Sequence, residues 1–386
     1  MSPSTKLAKV WRPAFIAFLV AAGLWVAVSA LQTKAQPPDD ARKLSGPHTK
    51  NPGAWPYADG YDEVIAAGEA YRVRYEDQHI RLVEVGIVPG AHTQMHGDPY
   101  PAVIAMDAPT PKIENVALDP NSNLNGQGSG HAPAPQGLKY PLGETDAPLA
   151  PHEMTNEDTF PLHYFKIEFK RIDGDDYPTH WKTWYPWMLD PLKPILNVDP
   201  KDPALGQPIS KDYPFAPATE SYIAAPNNHY IRYQDDHVVF LEVCFRHTER
   251  ENLHGHAYPS VFAHDIGVTP AVSGPVPPPS APPIEVNVNL PGIGHAGAGG
   301  DWKWDPKGIN GQGGGNCAPP AGMKWPSCNT MGPQWPHAAS DTNEYPAHFY
   351  RIQFKRVDGD GITTHWKEWY PWMLNLAVQN KEHAKP

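Results

Sequence analysis

The chain has 386 residues, including 47 Pro and 32 Gly, and its net charge is −11. Because Pro breaks helix interiors and is kept out of central strands, this composition excludes long uninterrupted helices. The acidic balance lacks the basic footprint of general nucleic-acid binding, so no nucleic-acid partner is expected. The 13 Trp, 17 Tyr and 11 Phe supply enough apolar area for a buried core, and the length predicts two or three domains.

The N-terminus has the pattern of an export signal. Basic residues within 1–12 precede an uncharged apolar run at 14–31, and small-residue cleavage sites occur at 28–30 and 33–35. Residues 1–35 are therefore predicted to be a signal peptide or, in the alternative, a membrane anchor that crosses at 14–31. In both cases the remaining protein is expected to be periplasmic or secreted.

Three cysteines occur in the chain, so at most one internal disulfide can form. Cys317 and Cys328 flank a short loop that contains Pro, and they are the predicted pair, which export permits. Cys244 lies in the apolar strand pattern of 240–245, and it is predicted to be a buried free thiol.

The sequence repeats itself. His163–Asp175 recurs 185 residues later at His348–Asp360, and Thr179–Leu189 recurs at Thr364–Leu374 with the same spacing. Upstream, Tyr75–Val85 recurs after 158 residues. Two copies are too few for an open solenoid, so a pair of closed β domains is predicted.

The duplication sets the domain boundaries. The predicted segments after residue 35 are a tether at 36–53, domain 1 at 54–200, a linker at 201–210, domain 2 at 211–377 and a C-terminal tail at 378–386. Within each copy the apolar residues recur with a period of two, as in Phe165, Ile167 and Phe169. This period indicates strands that are buried on one face.

Much of the Pro and Gly falls in two connecting segments, 107–151 and 267–336, which are predicted to be long loops able to cover a barrel mouth. The second copy has additional residues within 268–308, where Ile284–Leu290 is a candidate extra strand. The Asp-Gly steps in both copies, at 173–174 and 358–359, predict hairpin turns with solvated Lys-Arg pairs beside them.

Two short motifs resemble those of the cupin superfamily. In the first copy, Gly90 is followed after five residues by His96-Gly97-Asp98, and later His152 is followed at the fourth position by Asn156. The cupin motifs are a Gly, five residues and His-x-His with a later Glu, then a His with Asn four residues on. Two tandem copies resemble a bicupin. The implied fold class is all-β, with two tandem cupin jelly-roll barrels and long Pro/Gly-rich loops.

The resemblance also implies metal ligands inside the barrels. Imidazole and carboxylate donors suit a divalent transition metal such as Fe, Mn, Zn, Ni or Cu. The Glu position of the first motif is unmatched in both copies. The matched ligand positions are His254, His256 and His337 in domain 2, the favoured site, and His96, Asp98 and His152 in domain 1. The alternative is a barrel whose histidines are hydrogen-bonded to neighbours without an ion.

The duplicated segments Thr179–Leu189 and Thr364–Leu374 each contain three Trp. They could form an aromatic wall for a ring-bearing ligand. The favoured interpretation is a cap that closes a barrel or packs the two modules together, because each segment follows the last predicted strand. His180 and His365 are then expected to be structural.

Two functions remain open from the sequence. The first is an exported bicupin of uncertain activity that binds a divalent transition metal in domain 2 and a small organic ligand. The alternative is a metal-dependent bicupin enzyme, a dioxygenase, decarboxylase or isomerase, that acts on a small organic substrate. A purely non-catalytic envelope protein belongs to the first class, since a fold alone does not choose a function.

Overall fold

The fold was analysed in a computed structural model. It describes residues 55–122, 124, 130–190, 203–207, 209–210, 213, 215–246, 249, 251–252, 254–266, 313–337 and 344–374. The predicted signal or anchor at 14–31 and the candidate strand Ile284–Leu290 lie outside these residues. Among the described helices, none is long and apolar enough to cross a membrane.

The first repeat contains nine strands in two sheets. They are β1 (Tyr71–Glu76), β2 (Ile80–Ile87), β3 (His96–Asp98), β4 (Ala102–Met106), β5 (Ile113–Ala117), β6 (Gly130–Ala132), β7 (Leu142–Asp146), β8 (Leu149–Asn156) and β9 (Leu162–Phe169). The larger sheet has the order β1-β2-β9-β4-β7-β6, and the smaller has the order β3-β8-β5. All pairings between these strands are antiparallel. Within the described residues of the second repeat, every strand except β5 has a counterpart.

The second repeat contains the matching strands β10 (His229–Gln234), β11 (Val238–Phe245), β12 (His254–His256), β13 (Ser260–His264), β14 (Gly313–Cys317), β15 (Ser327–Met331), β16 (Gln334–His337) and β17 (Ala347–Phe354). The larger sheet has the order β10-β11-β17-β13-β15-β14, and β12 pairs with β16. The larger sheets of the two repeats therefore have the same strand order. The predicted all-β fold with two tandem jelly-roll units is confirmed.

Helices are short in the described chain, in agreement with the high Pro content. They are α1 (Glu63–Ala66), α2 (Tyr177–Trp184), α3 (Ser221–Ala224) and α4 (Ile362–Trp369). Short 3₁₀ turns lie at Asp59–Tyr61, Gly174–Asp176, Pro186–Leu189, Pro203–Gly206, Pro217–Thr219 and Gly359–Gly361. The Asp-Gly steps therefore open helical turns, and the predicted hairpins at 173–174 and 358–359 were wrong. Asp173 is held by a backbone bond from its N–H to Asp265 and by an ion pair with Arg171, which stabilises the turn.

The core between the repeats forms where one face of each larger sheet packs against the other. Leu82 and Ile167 of the first repeat share an apolar cluster with Phe240 and Ile352 of the second. Each of these side chains is fully buried. Burial of this kind contributes about 1.5–3 kcal/mol for each large apolar side chain. The other face of each larger sheet looks toward its own smaller sheet and lines the interior of a barrel.

Each Trp-rich segment packs against the other repeat. Helix α4 of the second repeat packs Ile362 and Trp366 into a cluster with Val85 of the first repeat. Gly86 lies under the following turn, and a Cβ atom there would collide with the ring of Trp372. Helix α2 of the first repeat makes the reciprocal contact with the second repeat. These segments therefore pack the two modules together, one of the two structural roles expected for them.

The connection at 107–151 contains the three strands β5, β6 and β7, contrary to the expected long loop. Strand β5 pairs with β8, and β6 contacts β14 of the other repeat. A Cβ atom on Gly130 would collide with the backbone of Ala318, so only Gly allows the two backbones to approach this closely. Thr145 also donates its hydroxyl proton to the Ala318 carbonyl across 2.6 Å. The interface between the two repeats thus requires Gly at position 130.

Two buried imidazole–carboxylate pairs join the repeats. His79 Nε2 lies 2.7 Å from the Asp265 carboxylate, and His237 Nε2 lies 2.8 Å from the Asp107 carboxylate. All four side chains are at most 4% exposed. The two pairs are related by the internal duplication, because each histidine occupies the same position of its repeat.

The hydrogen-bond donors around His79 determine its protonation state. The Tyr185 hydroxyl donates to Asp173 at 2.6 Å, and the same oxygen lies 2.5 Å from His79 Nδ1. With its single proton already donated, that hydroxyl can only accept from Nδ1. Nε2 faces the Asp265 carboxylate, and Nδ1 also lies 3.0 Å from the Tyr350 hydroxyl, so oxygens surround the ring and favour its charged imidazolium form. Tyr370 and Asp358 repeat this arrangement around His237.

The interdomain pairs predict a pH-dependent stability. Burial by itself lowers the pKa of His79 and of His237, but the facing Asp265 and Asp107 carboxylates outweigh it and raise both pKa values. Their contribution is complete below the unfolded pKa of about 6.5 and is lost as the pH rises through the raised folded values. We expect the free energy of unfolding, measured with urea, to fall as the pH rises above about 6.5.

His79→Gln is the matched variant, because it can still hydrogen-bond Asp265 but cannot be charged. This variant should weaken the pH dependence of the free energy of unfolding and lower that free energy at about pH 6. Substituting the exposed His180 in the same way should leave the slope as it is in the parent protein. A slope that is unaltered in His79→Gln would contradict the imidazolium assignment.

Candidate metal centre

Three histidines converge inside the barrel of the second repeat. His254 and His256 are alternate residues of β12, so their side chains leave the strand on the same side. His229 begins β10 and brings its ring centroid within 4.6 Å of His254 and 5.3 Å of His256. One potential ligand atom from each of the three lies within 4.8 Å of the others, and all three rings are buried. This spacing is compatible with binding to one ion.

Hydrogen bonds orient all three rings. His254 Nδ1 lies 2.9 Å from the Asn252 carbonyl oxygen, and His256 Nδ1 lies 2.8 Å from the Gln353 side-chain oxygen. His229 Nδ1 lies 3.3 Å from the Ala225 carbonyl oxygen. A donating Nδ1–H leaves the lone pair on Nε2, the tautomer that metal-ligating histidines commonly adopt.

The backbone of β16 places His337 directly opposite His254. His152 is opposite His96 in the same way in the first repeat. The second motif of each copy thus meets the first motif across a strand pair. The structure brings together the predicted positions His254 and His256, and it adds His229, which the sequence analysis did not include.

His229 occupies the position of Tyr71 in the first repeat, 158 residues earlier. The repeat match begins four residues later, at Tyr75, and so it stopped short of this pair. Because the residue types differ, the alignment of the copies alone does not mark His229 as a ligand. The sequence did contain one indication of this ligand, because a His stands at the start of the first strand of the copy with the better His cluster.

Carboxylates lie behind these histidines. Glu251 approaches His254 Nδ1 at 3.5 Å and His229 Nδ1 at 3.9 Å. Glu220 accepts from the Gln353 amide at 3.1 Å, and Gln353 in turn holds His256. Burial raises the pKa of Glu220, and its backbone and amide hydrogen bonds oppose that effect. These groups keep the ring orientations fixed and place negative potential near the histidine cluster.

The equivalent site of the first repeat has different chemistry. His96 and His152 have ring centroids 4.6 Å apart, but His96 Nε2 is hydrogen-bonded to the Tyr71 hydroxyl at 2.8 Å. Burial and the neighbouring His152 lower the pKa of His96 to about 4. Both ring nitrogens of His96 therefore have protein partners, since Nδ1 lies 2.7 Å from the Gln94 carbonyl oxygen.

Asp98, the third predicted ligand of the first repeat, belongs to a buried ion cluster. Lys166 Nζ lies 2.6 Å from Asp98, 2.7 Å from Glu63 and 3.1 Å from Glu168. Burial alone raises the pKa of the Asp98 carboxyl, but the Lys166 ammonium outweighs it and holds the pKa well below its ordinary value. Arg81 pairs with Glu168 from the other side. The carboxylate is thus turned toward an ammonium group.

Two further His/Asp groups have ligand-like spacing, and both belong to the interdomain networks. They are His79 with Asp173 and His348, and His163 with His237 and Asp358. In both groups the histidine of the interdomain pair already faces a carboxylate through Nε2 and a tyrosine hydroxyl through Nδ1. The Glu63, Asp98 and Glu168 group already surrounds Lys166. Of the described clusters, the three-histidine group is the one made of imidazoles alone.

The strand order and the pairing of the two motif segments identify the architecture. The chain contains two tandem jelly-roll units, the fold that the resemblance to bicupins implies. No family model matches this sequence, and no curated protein matches it.

The disulfide expected between Cys317 and Cys328 is formed, and Cys244 is buried and unbridged.

The solved structures to which this chain is similar include a cupin domain, an oxalate decarboxylase and a salicylate 1,2-dioxygenase. A cupin domain from Bordetella pertussis Tohama I is 18% identical over 26% of this chain and 92% of its own, with a TM-score of 0.19. An oxalate decarboxylase from Lactobacillus farciminis is 12% identical over 73% and 78%, with a TM-score of 0.17. A salicylate 1,2-dioxygenase variant from Pseudoaminobacter salicylatoxidans is 11% identical over 95% of each chain, with a TM-score of 0.18. At such TM-scores these likenesses carry no weight for function.

The ion cluster of the first repeat predicts a strong dependence on its single ammonium group. Lys166→Met keeps an unbranched apolar side chain but removes the ammonium from the three carboxylates, of which Glu168 still pairs with Arg81. Breaking a buried ion pair in this way costs about 3–5 kcal/mol. We expect the free energy of unfolding in urea to fall by that amount at neutral pH, and by less in acid, where carboxylates can be protonated.

Lys139→Met is the control for the loss of a lysine charge. Lys139 pairs with Asp360 at 2.6 Å, but both side chains are largely exposed to solvent. Exposed pairs add little to stability, so this variant should unfold at the urea concentration of the parent protein. Similar losses in the two variants would contradict the buried role of Lys166.

Proposed function

We propose that the second repeat binds one divalent transition metal through His254, His256 and His337, together with His229, and that a small organic ligand binds beside it. The observation that carries this proposal is the convergence of three buried imidazoles within 4.8 Å. Histidine nitrogens suit Fe, Mn, Zn, Ni or Cu better than Mg or Ca, which prefer oxygen donors.

The neighbouring groups support the same proposal. Each Nδ1 faces a carbonyl or amide oxygen, which favours the tautomer with its proton on Nδ1, the form that metal-ligating histidines commonly adopt. Such an ion would act as a Lewis acid toward an oxygen of the ligand. The protein would contribute ring orientation through Gln353 and Asn252, and exclusion of water by the buried barrel interior.

The same centre serves either a binding protein or a metal-dependent enzyme of the dioxygenase, decarboxylase or isomerase type. For the first repeat we propose a structural role without a metal. That proposal is supported by the two partners of His96 and by the Lys166 ammonium on Asp98.

We further propose that the protein functions in the periplasm or outside the cell. The bonded Cys317 and Cys328 are compatible with an oxidising compartment. Mass spectrometry of the chain from fractionated cells should find it in the envelope or medium, beginning near residue 31 or 36 if the signal is cleaved. An intact chain in the cytoplasm with both cysteines reduced would contradict export.

The metal proposal predicts a defined stoichiometry. Gently purified protein should contain about one transition-metal ion per chain by elemental analysis, as a single histidine site holds a single ion. His254→Ala and His256→Ala should each reduce the content at least about tenfold, because each removes one ligand. His229→Ala should do the same.

His180→Ala is the matched control for histidine loss. His180 stacks on Trp184 and is exposed, away from the barrel interior. Its metal content should equal that of the parent protein. Absence of metal from the parent, both as purified and after incubation with each of the five metals, would refute the proposal, as would full retention in His229→Ala.

A further inference from the structure

A buried arginine lies on the same barrel face as the three-histidine group. Arg351 and Gln353 are alternate residues of β17, so both side chains leave the strand on one side. Gln353 contacts His256 at 2.8 Å, which identifies that side as the one facing the histidines. The Cα atoms of Arg351 and Gln353 are about 7 Å apart, within the reach of a small molecule bound at the histidines.

The guanidinium of Arg351 has few partners for its charge. Its Nε donates to the Ser260 hydroxyl at 3.0 Å, and its plane lies 4.5 Å from the Phe262 ring centre. The buried Nη2 has no hydrogen-bond acceptor among the described residues. Burial lowers the pKa of Arg351 to about 9, which reflects a cation that its surroundings do not fully compensate. A buried donor without an acceptor is costly unless another molecule supplies one.

The first repeat shows how the protein compensates a cation at this position. Lys166 occupies the place of Arg351, 185 residues earlier, and its ammonium touches the carboxylates of Glu63, Asp98 and Glu168. Those four side chains are buried together. In the first repeat the charge is therefore neutralised entirely by the chain itself.

The second repeat has lost those carboxylates. The residues at the three corresponding positions are Ser221, His256 and Gln353. The nearby Glu220 and Glu251 favour the cation through their charge, but burial outweighs them and neither accepts a hydrogen bond from Nη2. Three neutral groups thus replace three anions around a cation that was retained.

We propose that Arg351 binds the carboxylate, or a similar anionic group, of the small organic ligand held at the three-histidine centre of the second repeat. The guanidinium is suited to this because it donates two parallel hydrogen bonds to a carboxylate. This inference rests on the proposed function for the location of the ligand. It adds the substrate class: small organic acids in preference to their uncharged analogues.

The test compares acids with their amides on the full-length protein. Formate, acetate and benzoate are titrated against formamide, acetamide and benzamide by calorimetry, with the metal-loaded and the metal-free protein. At least one acid should bind about ten- to a hundredfold more tightly than its amide, as charge-assisted hydrogen bonds allow. Arg351→Gln should lose this preference, and Arg351→Lys, the residue type of the first repeat, should retain part of it.

Gln353→Glu provides a second variant that leaves the arginine in place. It restores the carboxylate that Glu168 supplies in the first repeat, and it can still accept from His256 Nδ1. The added anion should compete with the ligand and remove the preference for acids. Urea unfolding of each variant verifies that the fold survives.

The outcomes separate this inference from the proposed function. Metal in the parent protein without a preference for any acid would overturn the role of Arg351 and leave the metal proposal standing. Absence of metal would overturn the metal proposal, and the titrations of the metal-free protein would then decide the anion site alone. An acid preference that persists in Arg351→Gln or in Gln353→Glu would overturn the inference.

Discussion

Two reciprocal ion pairs hold the two repeats in register: His79 of the first with Asp265 of the second, and His237 of the second with Asp107 of the first. Each lies beside the apolar interface between the larger sheets, where an unpaired charge would be expensive. The directional pairs fix the relative position of two faces that apolar contact alone would allow to slide. The exchanged helices, the close strand contacts and the separation of the two barrels all depend on that register.

The fold was predictable from the sequence to the extent that it is local or repeated. Alternating residues such as Phe165, Ile167 and Phe169 mark a strand, and two copies of the motifs mark two barrels. The strands β6 and β7 were mistaken for a loop because each contains a Gly, Gly130 or Gly143, that lies against the other repeat. Such a contact is absent from any pattern in a single segment. The Asp-Gly turns were misjudged for the same reason, since the Asp173 N–H donates to the Asp265 carboxylate of the other repeat.

The candidate site divides in a similar way. His254 and His256 could be found because their spacing is local to one short strand, and the resemblance to a known motif located His337. His229 joins them through the approach of a distant strand end. In the first repeat, the motif identified Asp98 without revealing that Lys166 faces it from another strand. The type of each ligand can be inferred from the local sequence, whereas the charged groups around a ligand come from several strands.

The contacts between the repeats have the symmetry of a homodimer. His79 meets Asp265, and their counterparts His237 and Asp107 meet with the roles of the repeats reversed, as residues do across an isologous twofold interface. A homodimer of single repeats would carry every substitution in both barrels at once. Two copies within one chain are free of that constraint. One barrel can then hold internal ion pairs that make it rigid, while the other has the histidines and an arginine whose charge is incompletely compensated.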